Sequence, residues 1–239
     1  EKDVGITCAL IPHDHPGVDV GRRHFPLNSA FMNGPTKGNE VFIPLDFIIG
    51  GSEQAGKGWR MLMECLAAGR SISLPSSHVG VDQLCIRSVG AYSRVRKQFN
   101  LSIGRFEGIE EVFSDMAATA YSNNAVRHMT SGAVDLGEKP AILSAIAKYH
   151  VTEQTRKLAN DAMDIIGGKG ICLGPSNFLG RGYQQMPVGI TVEGANILTR
   201  SLIIFGQGAI RCHPYVLKEM QATQEADHEK ALTDFDQAL

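Results

Sequence analysis

The sequence predicts an α+β chain that is mostly helical. It divides into a partial β-domain over residues 1–54, an antiparallel four-helix bundle over 55–215 and an acidic tail over 216–239. Three observations predict this. Up to about residue 54, β-branched apolar runs alternate with turn residues. Beyond Gly50-Gly51 the apolar spacing becomes helical, and proline and glycine then punctuate the chain where bundle helices would start and stop.

Taken in order, Val4–Ile11, Val18–Val20, Val41–Ile43 and Phe47–Ile49 read as strands, with turns at His15-Pro16-Gly17 and Asn33-Gly34-Pro35. So small an open sheet leaves edges and one face in need of cover. The β part is therefore expected to be incomplete, with strands missing upstream of Glu1, and the absence of an initiator Met points to a piece of a longer chain. Trp59, Leu62, Met63 and Leu66, then Leu84, Val89, Tyr92, Val95 and Phe99, predict a long helix or helix pair. Pro75 should kink or break it near Leu74, because proline lacks the amide proton and clashes with the preceding turn. A second helix carries Ile109, Val112, Met116 and Ala120 and stops by Gly137. A third opens at Pro140, carries Ile142, Ile146, Leu158, Ala162 and Ile165, and ends at Gly167-Gly168. A fourth runs from about Gly194 to Phe205, and the four form the bundle.

Composition narrows the function. Over 239 residues, 43% hydrophobic and 20% charged content excludes a disordered chain. Lys plus Arg total 23 against 25 for Asp plus Glu, so a net charge of -2 offers no footprint for nucleic acid or anionic membrane. The balance is uneven: residues 216–239 carry -4 and read as a solvated acidic segment. The longest apolar runs, such as Leu202–Phe205, fall far below the ~18 to 20 residues of a membrane span, so no transmembrane segment is expected. Cysteines 8, 65, 85, 172 and 212 match neither a CxxC nor a zinc-ligand pattern, which predicts a reducing compartment.

Among candidate chemistries, His13-Asp14-His15 sits before a Pro-Gly turn with no further ligand apparent, so no metal is expected. The other histidines pair with no evident nucleophile. Gly167-Gly168-Lys169-Gly170 resembles a phosphate-cradling loop only loosely, and a helix terminator accounts for it better. Glu193 opens the apolar fourth helix. Partial burial would raise its pKa and the helix N-terminus would lower it, a balance that suits a general base. An ordinary first-turn glutamate complementing the helix dipole is the reading that spacing alone favours, with the base left open.

Arg96-Lys97-Gln98-Phe99, Gly167-Gly168-Lys169-Gly170 and Glu193-Gly194, in this order, resemble the acyl-CoA dehydrogenase family. The likeness runs from about residue 5 to 213 and takes in Val41-Phe42-Ile43-Pro44, Gly56-Lys57-Gly58-Trp59 and Arg70. Arg23–Pro44 and Val192–Pro214 look closest to the large bacterial members of fatty-acid β-oxidation, which implies medium- to long-chain acyl-CoA substrates.

The resemblance implies FAD as cofactor and an acyl-CoA oxidised to trans-2-enoyl-CoA. Glu193 falls on the carboxylate that removes the α-proton, its backbone amide helping to bind the thioester oxygen. Gly194 falls on the glycine that lets substrate lie close, and Arg70 on an arginine that supports the thioester geometry. Arg96 and Phe99 match the segment that reaches the FAD of a neighbouring subunit, the guanidinium neutralising pyrophosphate. Gly167, Gly168 and Gly170 match the loop that admits the adenosine end of FAD. The expected arrangement is a dry Glu193 in a cavity shared with the double-glycine bend.

The chain departs from the family pattern in places. Glu107 and Asp164 stand where glutamines usually contact FAD, and Val192 and Ala195 replace the usual tyrosine and threonine beside the base. Gly69 precedes Arg70, so the alternative family position for the base is empty of a carboxylate. The family context further implies a homo-oligomer, an electron-transferring flavoprotein as partner, and a bacterial cytoplasmic location, free or at the membrane periphery. Two rival readings are a non-catalytic oligomerisation module and an acyl-CoA oxidase that uses dioxygen.

Overall fold

A computed structural model describes residues 3–29 and 33–239. The first strands pair as a short antiparallel ribbon, β1 (Val18–Val20) with β2 (Thr36–Gly38), in the register Val18 to Gly38. The other predicted strands do not form. Val4–Ile11 meets the chain around Ile48 through one isolated bridge at Ala9, and Leu45–Phe47 is a single 3-10 turn. The physical reason is burial: none of the described residues from Asp3 to Lys57 is buried, so no packed face rewards strand pairing there.

The helical part matches the expected bundle more closely. Helix α1 (Gly58–Val95) leads through a tight hairpin, β3 (Lys97–Gln98) and β4 (Leu101–Ser102), into α2 (Glu107–Asp135). Helix α3 (Ala141–Ile166) follows, its C-cap Gly167 at φ 63° and ψ -138°, a conformation that glycine adopts readily. Short helices α4 (Gly168–Ile171) and α5 (Gly180–Gly189) then cross to the last leg. That leg comprises α6 (Asn196–Leu198), a π-helical stretch (Thr199–Gln207) and α7 (Gly208–Cys212), so it begins later and ends later than its apolar run suggests. Phe99 belongs to no helix. It sits at the hairpin tip with φ 50°, followed by Asn100 at φ 60°, the paired left-handed residues of a type I′ turn.

Helix α1 runs unbroken through Pro75, against the expectation of an interruption. Proline has no amide proton for the carbonyl of Ser71 four residues earlier, and the Thr130 hydroxyl of α2 donates to that carbonyl at 2.9 Å. The lost helical bond is thus replaced across the bundle.

Buried polar groups are concentrated towards one end of the bundle. Cys85 and Val89 of α1, Met116 and Ala120 of α2, and Leu158, Ala162, Ile165 and Ile166 of α3 form an apolar cluster at the opposite end. Towards the polar end Arg70, Ser71 and His78 of α1, Thr130 of α2, and Ser144, Lys148 and Thr152 of α3 are buried among apolar Met63, Val79, Ala145 and Val151. Between them lies a polar layer in which Asn123 donates to the Asp82 carboxylate at 2.8 Å, beside a fully buried Thr155. Burial pushes the Asp82 pKa up; burial, helped by the Asp82 charge, also pushes the neighbouring Cys85 thiol up to about 12.

The acidic tail is folded. Helices α8 (Val216–Ala222) and α9 (His228–Ala238) form a hairpin whose contact buries Ala222 and Ala238. Asp227 caps α9 by accepting from the amides of Glu229 and Lys230 at 3.0 and 3.2 Å, and Lys230 bridges Glu225 and Asp234.

The buried polar groups make stability testable at two positions. Thr130→Val should cost roughly 1 to 3 kcal/mol, because it removes the donor that serves the proline-orphaned turn; thermal unfolding followed by circular dichroism would contradict this if the midpoint did not fall. Asp82→Asn should raise the midpoint at neutral pH, by on the order of 1 kcal/mol, because it removes a buried charge and keeps an acceptor for Asn123. A raised folded-state pKa means that the native chain binds the extra proton, so the penalty is complete above that pKa and gone below the ordinary value of 3.8. The advantage of the Asp82→Asn variant should accordingly vanish in acid.

Candidate active site

The loop between α5 and α6 carries Glu193 and Gly194 in consecutive left-handed conformations, φ 54° and 88°. Such a conformation is unfavourable for glutamate and needs external support. Two buried cations supply it. From α1, Arg70 donates through Nε to the Glu193 carbonyl at 2.9 Å; from α3, Lys148 donates through Nζ to the Gly194 carbonyl at 2.8 Å. Thr199 adds a hydroxyl to the Gly194 carbonyl at 3.1 Å. A Cβ on Gly194 would press on Thr199 Oγ1 at 3.3 Å, so the glycine answers both to its positive φ and to the inward packing of the loop.

Lys148 is fully buried and also donates to the Asn196 side chain, which in turn donates to Thr152 Oγ1 at 3.0 Å and Glu153 Oε1 at 2.8 Å. Desolvation pulls the Lys148 pKa down to about 8, with Arg70 adding to the fall while Glu193 and Glu153 oppose it. Arg70 is lowered by burial as well, with the nearby Glu193 charge raising it. Its Nη1 is buried without a hydrogen-bond partner among the described residues.

Glu193 does not open the helix. It stands before the N-cap Ala195, and its side chain is exposed, not held dry by this chain. It lies on the rim of a cleft of about 470 Å³ walled by Leu74, Val81, Met186, Val188 and Val192, with His78 and Ser77 among them. His78 is buried, donates through Nδ1 to the Leu74 carbonyl at 2.9 Å, and has its pKa lowered chiefly by desolvation.

A second cleft, of about 530 Å³, lies at the far end of the bundle. Arg96, Gln98, Asp164, Gly167, Gly168 and Lys169 line it, along with Tyr92 and Phe106. Among the described residues Glu193 and the double-glycine bend therefore line separate clefts and not the single cavity expected of them. The reason is length: Lys148, which holds the Glu193 loop, and Gly167 are separated by most of α3, roughly 28 Å at 1.5 Å per residue. Gly168 has nothing within 4 Å of its Cβ direction, so its backbone is open to the cleft. Gly170 is different, because it is buried and a Cβ there would meet the Met163 side chain at 3.1 Å. Phe99 is 92% exposed and touches Phe106 edge to face at 6.4 Å. Asp164 shares the cleft with two cations, whereas Glu107 does not line it.

Sequence reasoning found Glu193, Gly194 and Arg70, which the fold brings together, and missed Lys148, Asn196, Thr199 and His78. A signal for Lys148 was present, since Ser144, Lys148 and Thr152 recur every four residues on the same stripe of α3.

Residues 56–206 match the family "Acyl-CoA dehydrogenase, C-terminal domain", and residues 210–239 match "Acyl-CoA dehydrogenase, C-terminal, bacterial type". Protein HemX of Proteus mirabilis is 61% identical over 90 residues, 38% of this chain and 53% of that protein. Probable acyl-CoA dehydrogenase FadE10 of Mycobacterium tuberculosis is 31% identical over 186 residues, 77% of this chain but 28% of that protein. The butyryl-CoA dehydrogenase structure from Megasphaera elsdenii superposes with a TM-score of 0.76 at 20% identity, covering 87% of this chain and 52% of that one, a likeness of fold. The chain thus spans about half or less of the length of these relatives. With the family match covering well over half of the sequence, the chain belongs to the acyl-CoA dehydrogenase family.

Proposed function

We propose that this chain supplies the catalytic base and part of the cofactor site of an FAD-dependent acyl-CoA dehydrogenase that forms trans-2-enoyl-CoA from medium- to long-chain acyl-CoA in fatty-acid β-oxidation. The observation that carries the reading is the Glu193 loop: a carboxylate on the rim of an apolar cleft, its flanking carbonyls held by Arg70 and Lys148. An acyl chain suits the Leu74, Val81, Met186 and Val192 walls, and its arrival would displace water from the exposed carboxylate. Glu193 then takes the α-proton, the C–H electron pair forms the new double bond, and the β-hydrogen leaves as hydride. FAD, when bound, supplies the acceptor for that hydride. An electron-transferring flavoprotein is the partner proposed to reoxidise it.

The far cleft fits an anionic cofactor. Arg96 and Lys169 outnumber Asp164, and the Gly167-Gly168 backbone is free of side chains on the open side. In this reading the two clefts serve different active sites of a homo-oligomer, Glu193 in one and Arg96 with Phe99 in its neighbour's. The division into a partial β-domain to residue 54, a catalytic bundle to 215 and a tail is retained as part of the proposal.

Glu193→Gln in the full-length protein should lower kcat at least about 10³-fold while flavin absorbance stays at full stoichiometry; turnover within tenfold of wild type would remove Glu193 from the role. Arg96→Glu should weaken flavin retention by roughly 10- to 100-fold through loss of a charge-assisted contact. If the two clefts meet across subunits, refolding the two inactive variants together should restore part of the turnover. No recovery in confirmed mixed oligomers would count against shared sites.

A further inference from the structure

The lysine on the buried stripe of α3 has no part in the chemistry just proposed, yet it is the hub of the loop that carries the base. An ammonium taken out of water is costly, and an apolar residue would fill the same helix face without that penalty. Its partners all lie on or beside one segment: the Gly194 carbonyl at 2.8 Å, the Asn196 side chain, and through Asn196 the Thr152 hydroxyl and Glu153. In a trans peptide the N–H points opposite to the C=O. Pinning the Glu193 carbonyl to Arg70 and the Gly194 carbonyl to Lys148 therefore turns the Gly194 amide away from Arg70 and the Ala195 amide away from Lys148. The two peptides that flank the Cα of Gly194 are thus each tied to a rigid helix, and Glu193 is held through the first of them.

We propose that Lys148 is a positioning residue, whose buried ammonium holds the 190–196 loop so that Glu193 faces the cleft walled by Leu74 and Met186. The role rests on the reading of Glu193 as the base. It carries a pH dependence, because desolvation brings the lysine to about 8. The charged or titratable groups facing it are Arg70 and His78 from α1, Glu153 from α3 itself and Glu193 from the loop. As pH rises through that value the ammonium becomes a neutral amine, a weaker donor with no attraction for Glu193, and the loop loosens.

The test uses the full-length, flavin-loaded protein with Lys148→Met and Lys148→Arg, measuring kinetics against pH and amide hydrogen exchange of the 190–196 peptide. In Lys148→Met, kcat should fall about 100-fold with KM changed less than about threefold and flavin content intact, and the loop should exchange at least about tenfold faster. In Lys148→Arg, whose guanidinium stays charged, activity should be largely recovered and the alkaline limb near pH 8 should move up by more than about one unit. Loop exchange unchanged in Lys148→Met, or an alkaline limb unmoved in Lys148→Arg, would overturn the proposal. Should neither variant fold, wild-type exchange corrected for its intrinsic pH dependence decides: a step near pH 8 confined to 190–196 supports the pin, and its absence sinks it. Exchange does not require Glu193 to be the base. Retained turnover in Glu193→Gln would remove the base reading alone, whereas an indifferent loop beside a dead Glu193→Gln would remove the positioning role alone.

Discussion

Two positive charges buried in a helical bundle hold together the part of this protein that matters. Arg70 and Lys148 repel one another and each loses hydration, so their burial is sustained only because carbonyls and carboxylates surround them. The Glu193 and Gly194 carbonyls are the acceptors at the centre of that arrangement. The same hydrogen bonds offset both the strain in the loop and the desolvation of the cations: left-handed glutamate is tolerable because its carbonyl satisfies an arginine, and the arginine is tolerable because the loop bends towards it.

The bundle is built around this compromise. Its apolar end, where Cys85, Val89, Met116, Leu158 and Ala162 interdigitate, behaves as an ordinary close-packed core. The opposite end buries Val79, Ala145 and Val151 and adds hydrogen bonds that fix geometry: Thr130 on the Ser71 carbonyl, Lys148 on Gly194, Asn196 on Thr152. Functional side chains on helices anchored in this way are held more closely than side chains on a free loop. The π-helical stretch from Thr199 to Gln207 falls directly after the site, on the leg that presses against α3, and buries Thr199 beneath Gly194.

The separation of the two clefts follows from the same rigid rods. Helices α1 and α3 each carry a site element near one end and a second element at the other, Arg70 and Arg96 on the first, Lys148 and Gly167 on the second. Neither helix can bend the two ends together. Motifs that are ordered along the sequence are thus left at opposite ends of the bundle and, among the described residues, share no cavity within the chain.

Much of the helical architecture was legible in the sequence, because capping, proline starts and apolar spacing act within a turn or two of chain. Gly137, Pro140 and Gly167 mark the ends of α2 and α3 within a few residues, and the Glu193-Gly194 pair could be singled out by its type and setting. The strands were misjudged because β-branched residues form strands only where pairing and burial reward them, and the described residues from 3 to 57 bury nothing. Phe99 continued a helical spacing that the backbone abandons for a hairpin. What tertiary structure alone decided is which side chains meet: Arg70 finds Glu193 across 123 residues and Lys148 finds Gly194 across 46. Local patterns fix local backbone, but the partner of a buried charge is chosen by how the helices pack, and that choice turns an exposed glutamate on a strained loop into a placed one.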